Sequence, residues 1–168
     1  MSQRKQSANS QQQPRVSLGR NPIHWIAFGF GSGLAPVAPG TFGTVVAIPL
    51  FLVMNGLALW QYLAVVLVLL VAGIWICGYT ARGLGVHDHP GIVWDEIVGY
   101  LITMTAAPAE WLWMLVGFAL FRLFDIWKPW PIRFFDQSVG GGVGIMVDDV
   151  FAACYAFTVL QLLIKYAN

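Results

Sequence analysis

Phe121–Arg133, FRLFDIWKPWPIR, sets Arg122, Asp125, Lys128 and Arg133 among aromatic and aliphatic residues. An apolar helical run that ends in charge and then in Lys128-Pro129-Trp130-Pro131 is a helix carrying ionisable groups at one of its ends, because each proline bars helical geometry in the residue before it. Buried ionisable groups are costly unless they pair with each other, with a metal or with a ligand. Three cations and one carboxylate in so short a stretch suit a phosphate better than a core. Arg122 and Asp125, spaced i, i+3, fall on one helix face and can pair.

Acidic pairs lie on either side of this stretch. Asp95-Glu96 opens the run WDEIVGYLITMTA (94–106), and Asp148-Asp149 follows Gly140-Gly141-Gly142-Val143-Gly144 in another apolar run that extends to Ile164. An acid in the first turn of a helix satisfies the dipole or caps the helix, which accounts for one member of each pair and not for both. Adjacent helical residues point about 100° apart, so Asp95 and Glu96 are not expected to face one neighbour together. The glycine run reads as a hinge or as a place of close backbone approach.

Composition points to a membrane. Hydrophobic residues make up 58% of the 168 residues and charged residues 10%, against about 45–50% and about 25% in soluble domains; mean hydropathy is +0.69. The expected fold is all-α: a helical integral membrane protein with short hydrophobic helices around an acidic and basic site at the cytoplasmic face. Val45–Leu59 and Tyr62–Ile76, apolar runs of 15 residues each around an Asn55-Gly56 turn signal, both fall short of the roughly 20 residues of an upright span. They predict a deep hairpin or two thin spans. Glu110–Phe124 is a further apolar helix. A net charge of +1 and the lack of a basic run interleaved with aromatics speak against nucleic acid as a partner.

Residues 1–22 carry Arg4, Lys5, Arg15 and Arg20 without an acid, and predict a disordered basic tail before one domain over 23–168. No apolar h-region precedes residue 23, so no cleavable signal peptide is expected. The positive-inside rule assigns the tail and the basic residues near the site to the cytoplasm. GFGSGLAPVAPGTFGT (29–44) admits two readings, a re-entrant turn or a loop aiming N–H groups at a phosphate from a helix N-terminus. His87-Asp88-His89 is either a metal-ligating set or a solvated turn. Cys77 and Cys154 read as small core residues rather than a disulfide.

Carboxylates held this close repel one another unless a cation joins them, and Mg²⁺ suits an oxygen-only donor set. Arg and Lys beside it would bind the remaining phosphate oxygens. A small membrane transporter or proton relay is the alternative for intramembrane carboxylates. It predicts internal repeats, and none is visible.

The stretches GFGSGLAPVAPGTFGT (29–44), GVHDHPGIVWDEIVGY (85–100), FRLFDIWKPWPIRFFD (121–136) and GGVGIMVDDV (141–150) together resemble the phosphatidylglycerophosphatase A family. The resemblance implies a multi-pass, Mg²⁺-dependent lipid phosphatase of the bacterial inner membrane. Such an enzyme hydrolyses phosphatidylglycerophosphate to phosphatidylglycerol and inorganic phosphate, with its site facing the cytoplasm. It implies motif positions Asp95, Glu96, Arg122, Asp125, Lys128, Asp148 and Asp149. Chemistry then suggests Asp95, Glu96, Asp148 and Asp149 as metal ligands and Arg122, Lys128 and Arg133 as the phosphate clamp. Asp125 would orient Arg122 or act as base, and Asp149 would join it in catalysis. Water and a carboxylate both stand open as nucleophile, and the oligomeric state is not legible.

Overall fold

The computed structural model describes residues 21–86, 89–130 and 140–167. His87, Asp88, Arg133 and nearly all of the N-terminal tail lie outside them. Among the described residues all regular structure is helical. In chain order α1 spans Pro22–Ala27, a 3-10 segment Gly29–Leu34, α2 Pro39–Met54, α3 Leu59–Leu84, α4 Trp94–Thr103, α5 Trp111–Trp127 and α6 Gly141–Ala167.

The ten-residue α4 is the centre of the bundle. It packs against α2, α3, α5 and α6, and within it only Glu96 and Ile102 are not fully buried. Its C-terminal end is tied by side chains from its neighbours, which meets the demand of that terminus for partners. Tyr62 of α3 donates to Leu101 O at 2.7 Å and Gln161 of α6 donates to Thr105 O at 2.8 Å. Outward ties reinforce these: Tyr100 Oη donates to Met114 O, and Trp94 Nε1 to Leu69 O.

The turn at Asn55-Gly56 falls between α2 and α3 as expected, but the two runs do not form a packed hairpin; α4 is their common neighbour instead. Nor does the second run stop at Ile76. The helix continues to Leu84 and reaches 26 residues, about 39 Å at ~1.5 Å per residue. The polar-looking Gly78-Tyr79-Thr80-Ala81-Arg82 stays helical because its inner side is occupied. Thr80 is fully buried and sits 3.0 Å from His24 Nδ1 of α1, and Gly78 meets the backbone of Gly142 in α6. Gly85, at φ 69°, then ends the helix in the left-handed conformation that glycine adopts without strain.

The glycine run expected as a hinge or close-approach segment serves the second purpose, as the first turn of α6. A Cβ on Gly142 would overlap Ile74 O and stand 2.8 Å from Gly78 N. Side chains are thus excluded where α3 crosses α6. Met146 fills the adjacent space against Gly73 and Cys77. Cys77 is buried as expected, whereas Cys154 is exposed on α6.

Helices α3 and α6 are each long and apolar enough to cross a membrane. Only 33% of the most apolar stretch of α3 is buried, and its outer side exposes Leu67, Val68, Val71 and Trp75. An apolar helix turned mostly outward is not the core helix of a water-exposed bundle.

Candidate active site

The site forms where α5 ends and α2, α4 and α6 begin. Asp95 and Glu96 occupy the first turn of α4, and Asp149 lies in the third turn of α6. One carboxylate oxygen from each falls within 4.8 Å of the others. The expectation that Asp95 and Glu96 cannot share a neighbour is therefore corrected. The extra methylene of Glu96 carries its carboxylate around the helix, and a first turn leaves room for that excursion. Asp95 is 9% exposed and Asp149 3%. Glu96 Oε2 and Asp149 Oδ2 are buried without a hydrogen-bond donor. Burial, ahead of the neighbouring carboxylates, pushes the Glu96 carboxyl up to about 8.

Arg122 of α5 borders this group. Its Nη1 is 2.7 Å from Asp125 Oδ2 and 3.7 Å from Glu96 Oε1. The i, i+3 pair expected from sequence is present, and it extends to a third partner on α4. Arg122 Nε remains buried without an acceptor.

Asp148, next in the chain to Asp149, points elsewhere, as a 100° step on a helix requires. Its Oδ2 accepts from Lys128 Nζ at 2.6 Å. Lys128 caps α5 with a left-handed backbone, φ 43°, its amide donating to Phe124 O. That conformation costs a non-glycine residue about 1–2 kcal/mol. It turns the lysine back toward α6, where the ion pair offsets the cost. The acidic pairs thus behave differently: both acids of α4 join one group, and those of α6 divide between that group and a lysine.

Sequence reasoning overlooked how Gly40 and Gly43 serve the site. They lie one helical turn apart in α2, and both are buried. A Cβ on Gly40 would collide with Glu96 Oε1, and one on Gly43 would stand 2.6 Å from Val93 Cβ. The i, i+3 spacing of small residues in PGTFGT was the available signal. The Gly-rich segment before it seats the loop that leads into α4. Val93 N donates to Ala27 O at 2.9 Å, and Gly33 lies against Gly91 O. His89 belongs to this loop. Its Nδ1 accepts from Gly91 N at 3.0 Å and its ring packs on Phe28; the other two members of the expected metal set or solvated turn, His87 and Asp88, lie outside the described residues.

An oxygen-only, buried, net-negative group with two undonated oxygens suits a divalent cation. The cation would occupy the position that otherwise requires protons on the carboxylates. The guanidinium alongside suits an anion that also meets the cation.

The sequence profile of a family described as phosphatidylglycerophosphatase A matches residues 25–164. A protein of Escherichia coli with that name is 47% identical over 144 residues, 85% of this chain and 84% of its own length. A namesake in Haemophilus influenzae is 47% identical over 148 residues, 87% of this chain and 90% of its own. A relative from Bacteroides thetaiotaomicron, provisionally named a phosphatidylinositol-3-phosphatase, is 41% identical over 145 residues, 82% of this chain and 90% of its own. No solved structure matches the chain significantly. With most of its length matched by the family profile and by relatives of nearly equal span, the chain belongs to the phosphatidylglycerophosphatase A family.

Proposed function

We propose that this protein is a Mg²⁺-dependent lipid phosphatase that hydrolyses phosphatidylglycerophosphate to phosphatidylglycerol and inorganic phosphate. The carrying observation is the convergence of Asp95, Glu96 and Asp149 within 4.8 Å, beside Arg122 and sealed by apolar helices. Family membership supplies the substrate class. The protein sits in the bacterial inner membrane as a multi-pass chain, with the site facing the cytoplasm. Its support is the outward apolar face of α3 and the basic residues of the tail and of the α5 end.

In this reading Asp95, Glu96 and Asp149 hold the metal through oxygen, with Asp148 at the edge of the site. When bound, Mg²⁺ supplies polarisation of the phosphoryl oxygens and acidification of water. Arg122 and Lys128 bind phosphoryl oxygens, the first as a planar fork and the second as a point charge. Arg133 completes the clamp. Asp125 fixes the guanidinium from 2.7 Å. Asp149 or Asp125 takes a proton as a water oxygen bonds to phosphorus. The P–O bond to the glycerol breaks in the same displacement, and the departing alkoxide takes up the proton held by that carboxylate to become an alcohol.

Phosphate release by detergent-purified protein tests this, with phosphatidylglycerophosphate and phosphatidylinositol 3-phosphate as parallel substrates, each with Mg²⁺ and with EDTA. Mg²⁺-dependent turnover of the first substrate is expected. Preference for the second would transfer the assignment to an inositol lipid, and turnover that survives EDTA would remove the metal.

A further inference from the structure

Arg122 faces two ways. Inward it meets Asp125 and Glu96. Outward it lines a shallow, open groove together with Ala119, Leu123, Ile126 and Trp127, all on α5. Positions 119, 122, 123, 126 and 127 follow the i, i+3, i+4, i+7, i+8 register of a single helix stripe. Arg122 is the only charged group in that lining.

We propose that this groove receives an acyl chain of the lipid phosphate, laid along α5 with its phosphate end at Arg122. The inference rests on the lipid-phosphatase reading above and says how such a substrate reaches the carboxylate group from the side. Three features favour this occupant over a protein segment. The groove is continuous with the site through one residue. Arg122 is the charged member of the lining, and its guanidinium suits an anionic phosphate end where an apolar helix would offer it no counter-charge. The remainder of the lining is apolar and strongly exposed, with Leu123 at 54% and Ile126 at 71%, so an alkyl chain meets only carbon. Trp127, near the end of α5, has the amphipathic ring that settles at headgroup level.

The test uses the full-length protein in mixed micelles with a phosphatidylglycerophosphate analogue bearing a diazirine in one acyl chain. The label is expected on the α5 peptide around Leu123 and Ile126. In parallel, Ala119→Trp, which fills the groove, should raise KM for the diacyl substrate by about tenfold or more. Its KM for the deacylated, water-soluble headgroup phosphate should change less than about twofold. Val68→Trp, on the outward side of α3, should alter neither. Label spread over the outer side of α3, or equal losses on both substrates by folded Ala119→Trp protein, would overturn the groove while leaving the phosphatase reading intact. So would crosslinking of α5 to a second copy in place of lipid. If wild-type protein turns over no lipid phosphate, the phosphatase reading itself falls, and the acyl groove with it.

Discussion

Gly40 and Glu96 approach so closely that the glycine cannot carry a methyl group without meeting Glu96 Oε1, and that methyl would also stand 3.0 Å from Arg122 Nη1. The atoms in the way are the far ends of flexible side chains. Gly40→Ala should therefore cost little stability and act on chemistry, by displacing the Glu96 carboxylate from Asp95 and Asp149. The expected result is a Tm within a few degrees of wild type, with activity down about tenfold or more and a higher Mg²⁺ requirement. Normal activity in a folded Gly40→Ala protein would show that Glu96 need not hold its observed position.

Asp148 and Asp149 should separate in mutagenesis although they are neighbours. Asp149→Asn removes a charge from the carboxylate group and should lower kcat by at least about a hundredfold, the scale of losing one well-placed electrostatic group. Asp148→Asn instead weakens the ion pair with Lys128, whose Nζ lies 2.6 Å from it. Lys128→Met removes the same ion pair from the other side, so the double variant should be more stable than additivity predicts, with a coupling on the order of 1–3 kcal/mol. Thermal unfolding of the full cycle measures it. An additive cycle would remove the ion pair from the account of how α5 meets α6.

How legible was this site? Arg122 and Asp125 paired as their spacing foretold, because i, i+3 on a helix is local geometry and needs no tertiary information. That charges gather at helix ends was also readable, from ionisable residues bordering apolar runs. The length of α3 was not. Gly78, Thr80 and Arg82 look like a return to water, and only packing against α1 and α6 keeps them helical. The partition of the acids was hidden as well. Lys128 reaches Asp148 through a left-handed turn, φ 43°, that its sequence gives no reason to expect. Gly40 lies in a stretch whose composition reads as a loop, because its role depends on a residue 56 positions later.

If Asp95, Glu96 and Asp149 bind a divalent cation, the cation should stabilise the folded protein whether or not substrate is present. Like charges held within 4.8 Å repel, and a cation that binds the folded state alone raises stability, by about 2.7 kcal/mol at a hundredfold excess over Kd. Mg²⁺ should raise Tm at neutral pH and EDTA reverse it, with the shift reduced or lost in Asp149→Asn. Identical Tm values in both conditions would mean that the group carries protons rather than a metal.

Gly142→Ala tests the opposite case from Gly40. Its Cβ would overlap Ile74 O and crowd Gly78 N at 2.8 Å, and these are backbone atoms of α3 that cannot swing aside. The only relief is to part α3 from α6, the two helices that are long and apolar enough to cross a membrane. Parting them also loosens Met146 from its seat against Gly73 and shifts Asp149 two turns further along α6. Overpacking of this kind costs about 1–3 kcal/mol, so the variant should melt well below wild type and lose activity in step with its folded fraction. Gly85→Ala is the informative comparison. At φ 69° that residue meets no neighbouring atom, so its cost is backbone strain alone, about 1 kcal/mol. A Gly142→Ala protein no less stable than Gly85→Ala would mean that α3 and α6 do not cross at the observed separation.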